Sequence, residues 1–211
     1  MPKVVMRPTR LWLRPPGPVA AGLRIGLLGG SFNPPHEGHL HVSELALKKL
    51  GLDYVWWLVS PQNPLKSSRG LPSLDKRIAL AAKLVHERRV VVSDLERTIG
   101  TRFTIDTLQF LKRRFPAVSF VWLMGSDNLA GFHRWKDWAR ILELMPVVVV
   151  MRPGSLLAPL QAKAMQRFWR ARRKRKRGLG PAPALFILGG RLNAQSSTAL
   201  RRGTLVGTRA L

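Results

Sequence analysis

Cysteine is absent from the 211-residue chain, so disulfides, thiolate catalysis and a cysteine-ligated zinc site are all excluded. This fits a reducing compartment, and the expected location is the cytoplasm. Acidic residues are scarce: 11 Asp plus Glu stand against 36 Lys plus Arg, a formal net charge of +25. Such a field attracts anions of every kind, from nucleic acid to small phosphorylated substrates, and basicity by itself does not choose among them. No apolar run approaches the roughly 20 residues needed to span a bilayer, so no membrane partner is expected. Residues 1–23 are basic and proline-broken at Pro15, Pro16 and Pro18. They read as a poorly ordered extension, with a targeting peptide as the alternative. Residues 24–211 are enough for one well-filled domain.

The chain does contain a glycine-rich turn of unusual composition, Gly29-Gly30-Ser31-Phe32-Asn33-Pro34-Pro35-His36-Glu37-Gly38-His39-Leu40. It follows the apolar run Ile25-Gly26-Leu27-Leu28 and precedes a helix expected over Gly38 to Leu50. Glycines at a strand end let the backbone approach an anion, and the helix N-terminus presents free N–H groups to the same point. His36 and His39, three apart, fall at the mouth of that helix. A structural histidine pair and a metal site drawn from His36, His39 and His41 are the alternatives. Glu37 is the one nearby acid, and the spacing is not that of a His-Glu-x-x-His site.

Strands and helices alternate along the rest of the chain. Tyr54 to Val59 is a continuous apolar run of the kind buried on both faces of a parallel sheet. Ser60 to Pro72 reads as a loop. Ser73 and Asp75 suit the start of a helix carrying Ile78, Ala81, Ala82 and Val85 inward. Val90 to Val92, Val118 to Met124, Pro146 to Met151 and Ala184 to Leu188 read as strands. Thr104 to Phe115, His133 to Leu144 and Leu156 to Trp169 read as helices, and Ser196 caps a short one. This alternation requires right-handed crossovers, hence an α/β fold with a Rossmann-like, doubly wound, mainly parallel sheet. Gly125-Ser126-Asp127 closes the fourth strand, where open sheets present ligand-binding groups.

The Gly29 to Leu40 segment resembles the His-x-Gly-His signature of the nucleotidylyltransferase superfamily, and its Phe-Asn-Pro-Pro form resembles that of bacterial nicotinate-nucleotide adenylyltransferases. Phe103-Thr104-Ile105-Asp106-Thr107-Leu108, Gly125-Ser126-Asp127 and Ser196-Ser197-Thr198-Ala199-Leu200-Arg201 are similar to three further segments of that family, in the same order. The resemblance implies adenylyl transfer from ATP to nicotinate mononucleotide, giving nicotinate adenine dinucleotide and pyrophosphate, with Mg²⁺ carried by the ATP. A monomer or homodimer is expected.

By the same resemblance, His36 and His39 attend the α- and β-phosphates, with Gly29, Gly30, Ser31 and Phe32 lining the pocket. Ser197, Thr198 and Arg201 clamp the β,γ-phosphates, and Lys66 supplies a second cation. Gly125 and Asp127 meet ribose, Trp135 stacks on the pyridine ring, and the Thr104 backbone N–H receives the nicotinate carboxylate. Asp127 has a competing reading as a helix cap. The run Arg170 to Arg177 reads as an exposed basic segment without the interleaved aromatics of a nucleic-acid groove. Two rival functions follow: an adenylyltransferase for nicotinamide mononucleotide or phosphopantetheine, and a non-catalytic basic protein that binds nucleic acid.

Overall fold

Six parallel strands form one sheet in the order β3-β2-β1-β4-β5-β6 in the computed structural model, which describes residues 14–62, 70–151, 162–168, 170, 179–189 and 200. They are β1 (Arg24–Gly30), β2 (Tyr54–Val59), β3 (Val90–Ser93), β4 (Ser119–Gly125), β5 (Val147–Val150) and β6 (Leu185–Leu188). All five pairings are parallel. This is the doubly wound order, in which the chain starts at the centre, builds outward to β3, and returns to lay β4 on the other side of β1.

The strand sequences account for their position. Val55-Trp56-Trp57-Leu58-Val59 and Val147-Val148-Val149-Val150 are buried residue by residue, because helices cover both faces. The apolar side chains divide into a layer on each face. One gathers Trp56, Trp122, Phe120 and Phe132 with Ile105, Leu108 and Leu111; the other gathers Phe32, Trp57, Leu123 and Phe186 with Leu40, Ala46 and Leu47. The helices are α1 (Glu37–Leu50), α2 (Leu74–Leu84), α3 (Leu95–Thr98), α4 (Thr104–Arg114), α5 (Ser126–Leu129), α6 (Trp138–Leu144) and α7 (Lys163–Arg167). Ser73 caps α2 by accepting from the Lys76 N–H, and Gly51 ends α1 in the left-handed conformation that only glycine adopts readily.

Two local expectations change. The helix expected from His133 begins at Trp138: a single 3₁₀ turn, Phe132–Arg134, is followed by extended Trp135 and by Asp137 at φ 48°. Ala82 faces solvent, whereas Arg77 is the charged member of the inward face of α2. After β3 the chain folds as the short α3, with Leu95 and Glu96 both buried. Residues 14–23 lie against the sheet: Val19 and Leu23 pack on the core, and the Gly22 N–H donates to the Ala117 carbonyl at 2.9 Å.

Candidate active site at the carboxyl ends of β1 and β4

The strand order reverses between β1 and β4, and a crevice opens beyond the carboxyl ends of strands at such a point. Pairing of β1 with β4, through Leu28 opposite Leu123, sets Gly29 and Gly30 beside Gly125. Ser31 and Phe32 continue from β1, and Asp127 lies in the first turn of α5. Segments far apart in sequence therefore share one end of the sheet.

His36 is the N-cap of α1, and the His36 N–H donates to His39 Nδ1 at 3.3 Å. Because Nδ1 accepts, the proton of a neutral His39 ring sits on Nε2. The two rings lie 3.9 Å apart between centroids. Phe32 packs on His39 at 4.5 Å and on Trp57 at 4.9 Å, so the pair rests on an aromatic floor. Trp57 Nε1 donates to Ser43 Oγ at 2.7 Å, and that hydroxyl donates to the His39 carbonyl at 3.0 Å, fastening the first turns of α1 to β2. His41 is two residues from His39 and so falls on another face of α1. Among the described residues no three His, Asp or Glu side chains converge as metal ligands.

Gly29 has a packing requirement of its own. A Cβ there would collide with the Trp122 ring, while one at Gly30 would meet Phe32 at an ordinary 3.5 Å. The Trp122 ring in turn supports Trp135 edge to face at 6.0 Å, and Phe132 supports it at 5.3 Å. Trp135 is thus an extended-loop residue braced from below and partly open above.

Thr104 is the first residue of α4, where a backbone N–H lacks an intrahelical acceptor. Lys136 Nζ lies 3.4 Å from Asp106 Oδ2 and 4.7 Å from the Phe103 ring centroid, tying the Trp135 loop to the start of α4. Behind that start, the Thr101 and Thr107 hydroxyls are 2.7 Å apart, and Thr107 Oγ1 donates to Glu96 Oε1 at 3.5 Å. Burial pushes the Glu96 carboxyl up to about 7.

His36, His39, Gly29, Gly30, Ser31, Phe32, Gly125 and Asp127 therefore meet at the ends of β1 and β4, and Thr104 and Trp135 are joined through Lys136 and Asp106. Lys66, Ser197, Thr198 and Arg201 lie outside the described residues, as do Arg172 to Arg177. The residues that sequence reading passed over are Arg77, Glu96 and Lys136. Only Arg77 carried a signal: it sits on the stripe Leu74, Ile78, Ala81 of α2, a core position held by a charge.

The cytidylyltransferase-like family profile matches residues 27–203. A probable nicotinate-nucleotide adenylyltransferase of Parvibaculum lavamentivorans is 49% identical over 184 residues, covering 85% of this chain and 92% of the relative. One from Methylorubrum extorquens is 51% identical over 183 residues, covering 85% and 99%. The chain belongs to the nicotinate-nucleotide adenylyltransferase family. The fold agrees with that of Plasmodium falciparum nicotinic acid mononucleotide adenylyltransferase complexed with NaAD, at a TM-score of 0.66 and 17% identity over 85% of this chain and 83% of the other. The carboxyl ends of β1 and β4, where the strand order reverses, are the candidate active site.

Proposed function

We propose that this family member transfers the adenylyl group of ATP to nicotinate mononucleotide, releasing nicotinate adenine dinucleotide and pyrophosphate as a step of NAD biosynthesis. The observation that carries the reading is the β1–β4 pairing, which sets the His36/His39 loop beside Gly125 and Asp127 at the switch point. A phosphate oxygen of the mononucleotide, already anionic, attacks the α-phosphorus of ATP. The new P–O bond forms as the bond to the bridging oxygen breaks, and pyrophosphate leaves with that electron pair. No general base and no covalent enzyme intermediate are needed.

The task for the protein is alignment of two anions and stabilisation of the added charge. His39 donates through Nε2 and His36 stands beside it at the α- and β-phosphates, with Gly29, Gly30, Ser31 and Phe32 forming the wall. Asp127 accepts from ribose hydroxyls, its carboxylate being an acceptor in every geometry. Trp135 stacks on the pyridine ring and the Thr104 N–H receives the carboxylate. Lys66, Ser197, Thr198 and Arg201 complete the cationic side. Glu37 is the acid of the first turn of α1 and Asp127 that of the first turn of α5, which suits Mg²⁺ carried by nucleotide phosphates and water rather than by a protein cage. The ion neutralises phosphate charge when bound.

We place the enzyme in the cytoplasm, as a monomer or homodimer, with one catalytic domain over residues 24–211 and residues 1–23 as an extension whose Val19 and Leu23 pack on the domain's core. Among the described residues no helix is long and apolar enough to cross a membrane. Replacing both His36 and His39 by alanine is expected to lower pyrophosphate release by at least about a hundredfold, as loss of transition-state donors does. Unchanged turnover in the double variant would remove the two histidines from the chemistry.

A further inference from the structure

Arg77 is only 1% exposed, yet it has no carboxylate partner among the described residues. Burial lowers the affinity of its guanidinium for the proton, but an arginine keeps its charge in a protein. Among the described residues the charge is met by backbone carbonyls alone. Nη1 donates to Ser31 at 2.7 Å and to Ser60 at 2.8 Å, Nη2 to Pro61 at 2.9 Å, and Nε to Pro72 at 3.1 Å. Three stretches of chain converge on one fork: the turn after β1, the loop after β2, and the entry to α2. The Ser60 N–H adds a bond to the Gly30 carbonyl at 2.9 Å, so the first two are fastened to each other as well.

An apolar side chain would complete the inward stripe of α2 without the desolvation of a charge. What it would not supply is a hold on Ser31. The residue after Ser31 is the strained one: Phe32 has φ 45°, a region that bulky residues avoid. Its ring is pinned by Trp57 and His39, and its backbone is pinned through the preceding peptide. In a trans peptide the C=O and the next N–H point in opposite directions. With the Ser31 carbonyl drawn onto Arg77, the Phe32 N–H points to the side opposite the guanidinium.

We propose that Arg77 is a positioning residue for adenylyl transfer, holding the Ser31–Phe32 peptide so that the Phe32 N–H donates to the triphosphate. This rests on the reading of the β1 turn as the phosphate site. Wild-type turnover with ATP and nicotinate mononucleotide tests that reading separately.

The experiment compares the full chain with Arg77→Lys and Arg77→Met, varying each substrate with the other saturating and normalising to folded protein. Lysine keeps the charge but cannot span the four carbonyls. Both variants should lose about a hundredfold in kcat/KM for ATP, the scale of an ångström-sized misplacement, with KM for nicotinate mononucleotide changed less than about twofold. Either folded variant with wild-type kcat/KM for ATP overturns the assignment. So does a rise in KM for nicotinate mononucleotide as large as that for ATP, which is the mark of a merely structural role. A measurement on the wild type decides the matter if neither variant folds: ¹⁵N-phenylalanine-labelled protein is titrated with Mg²⁺ and a non-hydrolysable ATP analogue. The Phe32 amide should shift among the most of all phenylalanine amides. A bound analogue that leaves it unmoved contradicts the proposal.

Discussion

Glu96 shows how a single side chain couples burial to the start of α4. It is 6% exposed, with Thr107 as its side-chain donor, and its carboxyl is pushed up to about 7 from 4.5. Below about pH 4.5 the proton is bound in both folded and unfolded chains. Between there and about 7 only the folded chain retains it, so stability falls as pH rises, and above that range the neutral form's advantage is gone. The whole effect is at most about 3 kcal/mol. Glu96→Gln, which still accepts from Thr107, should therefore flatten the fall in urea-unfolding free energy between pH 5 and pH 8. Parallel pH profiles for the two proteins would show that Glu96 is not the titrating group.

Among elements, the meeting of β1 with β4 is the sensitive contact. Gly29 lies over Trp122, and Trp122 braces Trp135, so the phosphate turn and the proposed ring-stacking residue share one support. Gly29→Ala would force the Trp122 ring aside, an overpacking cost of about 1–3 kcal/mol. The expected outcome is a lower melting temperature together with weaker binding of the mononucleotide, readable as a raised KM for that substrate. An alanine variant with wild-type melting and KM would mean that the indole relaxes without moving Trp135.

The elements themselves were largely legible. Continuous runs such as Tyr54 to Val59 and Val147 to Val150 have no polar face to hide, and the Gly-Gly turn with its two histidines marks the end of β1 and the start of α1. The break before α6 was not legible, because Trp135 and Trp138 have helical spacing whether or not the chain between them is helical. It took the left-handed Asp137 to separate them. Arg77 and Glu96 were hidden for a different reason. Charged residues are read as solvated, and each of these is buried by partners that lie elsewhere in the chain, four carbonyls in one case and a threonine hydroxyl in the other.

For the whole molecule, the net charge of +25 draws every phosphorylated acceptor toward the protein, so attraction does not distinguish nicotinate mononucleotide from its rivals. Discrimination has to arise locally, and the proposed assignment puts it at the Trp135 ring face and the N–H groups at the start of α4. The doubly wound sheet brings these groups to the same edge as the β1 turn, which in the proposed assignment serves ATP and not the acceptor. The decisive measurement is pyrophosphate release at one fixed ionic strength with ATP, Mg²⁺ and each acceptor in turn. Release should be fastest with nicotinate mononucleotide, ahead of both nicotinamide mononucleotide and phosphopantetheine; equal or faster release with either competitor would contradict the assignment.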